Sequence, residues 1–427
     1  MRKTLASQIT GVIDLPAGVI EVSAELRLAR GAHDLTIVGH QTTLKASDGF
    51  HGRAILVAEG VHHIRLADFS VDGSRAAHAE PLQMAPPENE FRVYYPNNGV
   101  LLDRVEFVEI SNLHFTNVMS FAVLVSRSSG IRMDKVLVED SGSLNQRGRN
   151  NTTGGILIEE GSADFEVRNC TFHRIRGNAL WTHSMYRSAR LRSGRFFGNR
   201  FDTIGRDAIL IGHATGVRVE RNTGRNIGYP PEIIDVENGG TPVAIDTAGN
   251  VDHAVYAQNQ FEEIDGKCID LDGFHDGSVR ENQCVNRKPM EQYPFGHFGI
   301  VMNNANPDMR PDNIEVLNNH IDGTKFGGLF LIGSGHRVMR NVFENLNKAN
   351  CNRDAEPPGC IYKRDEPEML AAGIYLGRGG ERPADTRGNL IAQNRISGHG
   401  MKRQCIIFAP GVAPRSNQVG GNQCADQ

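Results

Sequence analysis

Three aspartates near the middle of this 427-residue chain have the spacing of a carboxylate cluster. Asp246 ends the segment Pro242-Val-Ala-Ile-Asp246, and Asp270 and Asp272 alternate in Cys268-Ile-Asp-Leu-Asp272. Alternate residues of a strand share a face, so Asp270 and Asp272 are expected on one side. Carboxylates held this close favour a raised pKa, a bound cation or full solvation. A retained proton supplies a general acid beside an ionised base or nucleophile, the pair that glycosidic bond hydrolysis requires.

A recurring asparagine spacing indicates which element carries these acids. Asparagines lie 23 residues apart in the pairs Asn199 and Asn222, Asn259 and Asn282, Asn318 and Asn341. Short alternating strands surround them without helical apolar spacing, which excludes helical repeats and favours stacked β-coils. We predict an all-β, single-domain, right-handed parallel β-helix over residues 1–427, with a cap at 1–30 and coils with inserted loops at 33–427. The stacked amides are expected to hydrogen-bond along their column.

One strand of each coil has a common form: a small residue, then apolar and outward-facing residues in alternation. The segments are Gly155-Ile-Leu-Ile-Glu159, Ala179-Leu-Trp-Thr-His183, Ala208-Ile-Leu-Ile-Gly-His213, Pro242-Val-Ala-Ile-Asp246, Cys268-Ile-Asp-Leu-Asp272, Gly299-Ile-Val-Met-Asn303 and Gly373-Ile-Tyr-Leu-Gly377. This alignment puts Asp246 beside Asp272 on neighbouring coils. The diagonal from Asp246 to Asp270 is then roughly 8 Å, which favours an inverting over a retaining glycosidase.

The same outward columns supply the other candidate residues. His213 joins Asp246, Asp270 and Asp272 as a catalytic candidate because an imidazole can transfer protons near neutral pH. Trp181, the only tryptophan, is expected either to stack on a sugar ring or to be covered by inserted loops. The remaining substrate-binding candidates are Glu159, His183, Lys267, His275, His297 and Asn303.

The coil pattern and the opening segment Gly11-Val-Ile-Asp-Leu-Pro-Ala-Gly18 resemble the pectate-lyase-like superfamily of β-helix proteins. The resemblance implies a polysaccharide or oligosaccharide partner. Polygalacturonase-type hydrolases of this fold carry Asn-Thr-Asp, Asp-Asp and Gly-His-Gly on successive coils. This chain has Ile245-Asp-Thr-Ala248, Asp265-Gly-Lys-Cys268 and Gly296-His-Phe-Gly299. A lysine stands where the second aspartate would be, which argues against pectin as the substrate.

Three functions follow from this pattern. A glycoside hydrolase that needs no cofactor ranks first. A polysaccharide lyase or uronate epimerase is the alternative, with Ca²⁺ held by the carboxylates and a base among Lys267, Arg280, His275 and His297. A non-catalytic glycan-binding β-helix would show the same repeats without functional carboxylates.

Composition and cysteine spacing limit which partners and which cellular compartment are expected. The net charge of −4 gives no reason to expect nucleic acid, and no apolar run approaches the roughly 20 residues that span a bilayer. The first residues show no secretion signal. Local cysteine pairs nevertheless predict disulfides and hence a secreted or periplasmic protein: Cys268 with Cys284, Cys351 with Cys360, Cys405 with Cys424. Cys170 is expected in the core, and no close cysteine pair indicates zinc.

Overall fold

The computed structural model describes residues 1–78, 80–352 and 360–427. They form two compact units, unit 1 with Met1–Val217 and Glu232–Gly240, and unit 2 with Arg218–Pro231 and Thr241–Gln427. Both consist of short parallel strands, and the predicted all-β right-handed parallel β-helix is confirmed. The single-domain organisation stays a prediction.

Unit 1 is built from twenty strands. They are β1 Gly11–Leu15, β2 Gly18–Val22, β3 Leu26–Arg27, β4 His33–Ala46, β5 Ala54–Glu59, β6 His62–Asp72, β7 Asn98–Asp103, β8 Glu106–Ser111, β9 His114–Thr116, β10 Phe121–Ser126, β11 Ser129–Asp134, β12 Leu137–Glu139, β13 Gly154–Glu159, β14 Ala163–Arg168, β15 Thr171–Ile175, β16 Leu180–His183, β17 Leu191–Phe197, β18 Arg200–Ile204, β19 Ile209–Ile211 and β20 Ala214–Thr215. The coils stack into three parallel sheets, and β4 and β6 each run through two of them. We call β3, β5, β7, β10, β13, β16 and β19 face sheet 1.

Unit 2 also has twenty strands. They are β21 Arg218–Glu220, β22 Thr223–Ile227, β23 Val243–Asp252, β24 Val255–Ala257, β25 Gln260–Ile264, β26 Lys267–His275, β27 Ser278–Arg280, β28 Gln283–Val285, β29 Ile300–Asn303, β30 Glu315–Leu317, β31 His320–Asp322, β32 Leu329–Leu331, β33 Arg337–Met339, β34 Val342–Leu346, β35 Ile374–Leu376, β36 Leu390–Ala392, β37 Arg395–Gly398, β38 Ile406–Phe408, β39 Gln418–Gly420 and β40 Gln423–Asp426. Three parallel sheets again result. We call β23, β26, β29, β32, β35 and β38 face sheet 2.

The helices are all short. They are α1 Arg2–Ser7, α2 Phe91–Tyr94, α3 Val236–Gly239 and α4 Met401–Gln404, with 3₁₀ turns at Pro231–Ile233, Met290–Gln292, Met369–Ala371 and Pro414–Ser416. None of the helices in the described ranges has the length and apolar character to cross a bilayer.

The N-terminal cap is shorter than expected. Only α1 lies outside the coils, with Leu5 buried over the end of the stack and its carbonyl accepting a hydrogen bond from Ala29 N at 2.8 Å. The first coil already begins at β1, whose Gly11 pairs with Leu35 of β4. The prediction that coils start near His33 is therefore wrong, because Val12 and Val19 in the opening segment face solvent and hide its strand pattern.

Stacked asparagines stabilise one corner of unit 2. The backbone N–H and the side-chain Nδ2 of each donate to Oδ1 of the next, over 2.8–3.1 Å. The members are Asn222, Asn259, Asn282, Asn319, Asn341, Asn394 and Asn422. The expected ladder is confirmed, but Asn318 is not in it. Asn318 takes the left-handed turn before the ladder, with φ of 55°, a conformation that asparagine tolerates.

Disulfides form at all three predicted pairs, Cys268–Cys284, Cys351–Cys360 and Cys405–Cys424. Cys170 is a buried free thiol, as expected. The loop between Cys351 and Cys360 lies almost entirely outside the described residues.

Candidate active site

The acids of face sheet 2 lie on β23 and β26 in a register that differs from the expected one. Ile245 pairs with Ile269 and Ala248 with Asp272, so Asp246 lies beside Asp270. The predicted pairing of Asp246 with Asp272 is wrong by two residues. A slip of two preserves which face each side chain takes, so the alternating pattern gave no signal against it.

Strand geometry then fixes the spacing of the three acids. In-register neighbours on adjacent coils are roughly 4.8 Å apart, and alternate residues of one strand roughly 6.7 Å. Asp246 and Asp270 are the close pair. The diagonal of roughly 8 Å joins Asp246 to Asp272, and not Asp246 to Asp270 as expected.

Asp270 is paired with Lys267. It is 6% exposed, and its Oδ2 accepts a hydrogen bond from Lys267 Nζ at 2.5 Å. Burial would lower the pKa of Lys267, but the charge and hydrogen bond of Asp270 outweigh burial and raise it, with smaller contributions from Asp246 and Asp272. The ammonium is thus kept charged. The disulfide at Cys268, the next residue, ties this end of β26 to Cys284 of β28.

Asp272 has the opposite electrostatic setting. The pKa of Asp272 is raised to about 7. Burial is the main cause, the charges of Asp270 and Glu381 also raise it, and the Ala305 amide and Lys267 lower it. Its Oδ1 accepts a hydrogen bond from Ala305 N at 2.9 Å, which fixes its orientation. Near neutral pH a large share of Asp272 is therefore protonated.

Asn303 attaches a loop to the edge of the acidic cluster. It pairs with Asp272 across β26 and β29, its Oδ1 accepts from Glu381 N at 3.2 Å, and its Nδ2 donates to Glu381 Oε1 at 3.4 Å. Asn304 holds the same loop through the backbone of Arg382. Sequence reasoning missed Glu381 because it lies in an insertion outside the repeating strands.

His297 lies near Lys267, on a loop whose backbone hydrogen-bonds to the buried Asp265. Asp265 Oδ1 accepts from Phe295 N at 2.8 Å, and burial raises the pKa of Asp265 to about 7. The pKa of His297 is lowered to about 3, chiefly by burial and also by the charges of Lys267 and Lys325. His297 is therefore a neutral ring, suited to hydrogen bonding and a weak proton acceptor. Asp265 was not among the predicted residues, and its part is to position this loop.

His275 is not brought to the acids. Its Nδ1 bonds to Asp276 Oδ2 at 2.8 Å and its Nε2 to Asn250 Oδ1 at 3.0 Å. The strand bends at Gly273, where φ is 84°, and His275 follows that bend. Its contact with substrate stays a prediction.

Four predicted residues lie in unit 1 beneath or beside a covering loop. We call residues 80–97 the cover segment. Glu159 is 0% exposed and accepts hydrogen bonds from Phe91 N at 2.8 Å and Arg92 N at 3.0 Å. Trp181 is 7% exposed with its ring centroid 5.0 Å from that of Phe91. The expected outward orientation of Glu159 and Trp181 was correct, but their expected contact with substrate is wrong because the cover segment occupies that face.

The two histidines of unit 1 are also engaged. The ring of His183 stacks on Phe91 at 4.1 Å and 8°, and burial lowers the pKa of His183 to about 4, with His213 adding to the decrease. His213 is 6% exposed and meets Tyr186 edge-on at 3.8 Å. The roles of His183 in substrate binding and of His213 in catalysis stay predictions.

A family model described as the right handed beta helix region matches residues 98–244 and 155–347, which together span more than half of the chain. The protein therefore belongs to the right-handed β-helix family. No curated protein sequence is a detectable relative.

Solved structures with similar folds have diverse activities. The surface adhesin PfbA of Streptococcus pneumoniae is 14% identical, with 78% of this chain and 82% of that chain covered and a TM-score of 0.55. A polygalacturonase from Erwinia carotovora is 13% identical, with 78% and 90% covered and a TM-score of 0.53. The catalytic unit of an α-1,3-glucanase from Streptomyces thermodiastaticus is 12% identical, with 99% and 66% covered and a TM-score of 0.51. At these identities the similarity establishes the fold alone.

Proposed function

We propose that this protein is a glycoside hydrolase that cleaves a polysaccharide or oligosaccharide at the acids of face sheet 2. The observation that carries the proposal is the pKa of Asp272, raised to about 7 chiefly by burial, beside the hydrogen-bonded pair of Asp270 and Lys267. A carboxyl group that keeps its proton near neutral pH can act as the general acid that cleavage of a glycosidic bond needs. The similarity of fold to a polygalacturonase and an α-1,3-glucanase supports the same class.

The roles follow from the spacing. Asp272 donates its proton to the glycosidic oxygen as the bond to the anomeric carbon breaks. Asp246 accepts a proton from the water that attacks that carbon. The diagonal of roughly 8 Å between Asp272 and Asp246 leaves room for this water, since inverting enzymes hold their carboxyl groups about 6.5–9.5 Å apart. Inversion of the anomeric centre is therefore the expected outcome.

Lys267 and Asp270 stabilise this arrangement. The hydrogen bond from Lys267 orients Asp270, and the negative charge of Asp270 raises the pKa of Asp272. Asn303 and His297 are the groups placed to hydrogen-bond sugar hydroxyls. Because the three acids Asp246, Asp270 and Glu381 lie around Lys267, a neutral glycan fits better than a uronide.

Elimination is disfavoured by the same residues. A lyase needs a strong base beside the acidic sugar, but Asp270 raises the pKa of Lys267 and so keeps it protonated, while the pKa of His297 is lowered to about 3. The Lys267 ammonium also repels a Ca²⁺ ion from the carboxylates. We therefore rank the lyase and epimerase below the hydrolase.

Binding without cleavage is the second candidate, and the similarity to the adhesin PfbA favours it. In either case three disulfides are typical of an extracytoplasmic protein. We accordingly propose secretion or a periplasmic location.

The test is a panel of neutral and acidic polysaccharides assayed for new reducing ends and for the ultraviolet absorbance of an unsaturated sugar. We expect reducing ends from a neutral glycan with the wild-type protein. In Asp272→Asn the rate should fall about 10²–10⁴-fold, the usual contribution of a general acid, with an unchanged melting temperature. Asp276→Asn is the matched control, because Asp276 lies on the surface and bonds to His275 and Asn313. An unsaturated product, glycan binding without cleavage, or a fully active Asp272→Asn protein would each refute the hydrolase.

A further inference from the structure

Unit 1 contains a group of buried ligand-type side chains away from the acids of face sheet 2. One ligand atom each from Glu159, Glu160 and His183 lies within 4.8 Å of the others. Glu159 and His183 pair in register across β13 and β16. Glu160 follows Glu159 directly, and its left-handed backbone, with φ of 54°, turns the chain so that consecutive carboxylates converge where an extended strand would separate them.

Both carboxylates are held in fixed orientations. Glu159 accepts hydrogen bonds from Phe91 N and Arg92 N. Glu160 accepts from Met185 N at 2.9 Å and from Ser188 Oγ at 2.6 Å. Each carboxylate oxygen can accept a second interaction. These bonds therefore orient the two groups and leave capacity for a cation.

The imidazole of His183 presents an unpartnered ring nitrogen. Its Nδ1 is buried and has no hydrogen-bond partner. Neutral imidazole nitrogen is the commonest metal ligand in proteins, so this nitrogen is available to a cation. The stacked Phe91 ring restricts rotation of the imidazole.

Among the residues that the structure describes, no lysine or arginine forms an ion pair with Glu159 or Glu160. The charge of Arg127 acts on Glu159, but its guanidinium is hydrogen-bonded to Asp103. Buried carboxylates are costly unless they are paired or coordinate a metal. A cation at the centre of the group would meet the electrostatic demand of all three side chains.

We propose that Glu159, Glu160 and His183 bind one divalent transition-metal ion, best fitted by Zn²⁺, beneath the cover segment. Zn²⁺ takes carboxylate oxygen and imidazole nitrogen at about 2.0–2.2 Å, so its tetrahedral donors lie roughly 3.3–3.6 Å apart. Small side-chain movements bring the three groups to that distance. Ca²⁺ fits less well, since it takes about 6–8 oxygen ligands. Because Glu159 also holds the amides of Phe91 and Arg92, the bound ion stabilises the cover segment.

A second group of the same residue types provides an internal control. His320, Asp322 and Glu344 of unit 2 also bring ligand atoms together, but their interactions are already made. His320 Nε2 hydrogen-bonds to Glu344 Oε1 at 2.6 Å. Asp322 forms an ion pair with Arg287 at 3.2 Å and accepts a hydrogen bond from Asn345 Nδ2 at 2.6 Å. No buried lone pair faces this group, and we expect it to bind no metal.

The experiment uses the purified full-length chain, treated with a chelator and then titrated with ZnCl₂, and separately with MnCl₂ and CaCl₂, by calorimetry. Bound metal is counted by plasma mass spectrometry after gel filtration. We expect one Zn²⁺ per wild-type chain. In Glu160→Gln, whose amide oxygen still accepts from Met185 N, Zn²⁺ should bind at least about tenfold more weakly. Glu344→Gln should bind as the wild type does.

The outcomes separate the proposal from its alternatives. Zn²⁺ should also raise the melting temperature of the wild type, reversibly with chelator, because a ligand of the folded state stabilises it; this readout stands if Glu160→Gln does not fold. Absence of stoichiometric Zn²⁺ on the folded wild type would overturn the site and would mean that a proton occupies it. Equal affinity in Glu160→Gln, or loss of the ion in Glu344→Gln, would also overturn it. None of these measurements depends on glycan cleavage.

Discussion

The two face sheets have the same strand pattern but different outward residues. On face sheet 1 the outward positions include Leu157, Trp181 and Leu210, which pack with Phe91 and Tyr95 of the cover segment in one buried cluster. On face sheet 2 the outward positions of β23 and β26 are Asp246, Asp270 and Asp272. Apolar outward residues thus bind a loop of the same chain, whereas acidic ones are bordered by loops that donate backbone amides.

This difference teaches that a β-helix face becomes a site where no loop of the chain packs over its outward residues. Burial of the apolar cluster stabilises unit 1 at about 25 cal/mol per Å² of apolar surface. The acids of face sheet 2 gain no such stabilisation and raise the electrostatic energy of the fold. Residues that cost stability in this way are candidates for function.

The largest expected effect on stability comes from separating Lys267 from Asp270. Lys267→Met leaves an uncompensated buried carboxylate, and this should lower the free energy of unfolding by about 3–5 kcal/mol. Urea denaturation measures the change. The double variant Lys267→Met with Asp270→Asn should regain part of the loss; equal destabilisation in the single and double variants would mean that the ion pair contributes little.

Removal of the anchor of the cover segment is the matching change in unit 1. Phe91 is buried against Trp181 and His183, so Phe91→Ala should cost about 3 kcal/mol and shift the emission of Trp181 to longer wavelength. Glycan cleavage should be retained at temperatures where the variant is folded, because that face is not the site. Val93→Ala is the control, since Val93 is 70% exposed. Loss of cleavage in folded Phe91→Ala would assign function to the covered face.

The smallest expected effect is on the asparagine ladder, which contributes to the fold and not to the site. Asn282→Ala removes the acceptor for Asn259 and the donor to Asn319, and unpaired buried groups cost about 1–3 kcal/mol. Thermal unfolding measures the loss, with activity per folded molecule unchanged. Asn318→Ala is the control, because it changes the left-handed turn and leaves the ladder intact. Comparison of the two variants separates the contribution of the ladder from that of the turn.

The repeat and its asparagines predicted the fold because stacked coils repeat the same polar requirement at each corner. Local cysteine spacing predicted the disulfides for a similar reason, since neighbouring coils bring nearby cysteines together. The register of Asp246 was missed because a two-residue slip leaves the alternation unchanged. Glu381 was missed because it belongs to an insertion, whose path depends on tertiary packing and not on the repeat.

The pH dependence of kcat/KM on the cleaved glycan tests the central claim most directly. A raised pKa of about 7 for Asp272 means that this carboxyl holds its proton below that pH and loses it above. The account predicts that kcat/KM falls about tenfold per pH unit above pH 7 as the general acid ionises, while the free energy of unfolding also decreases as pH rises through the same value. A rate that stays constant or rises from about pH 6 to 9 would contradict a protonated Asp272.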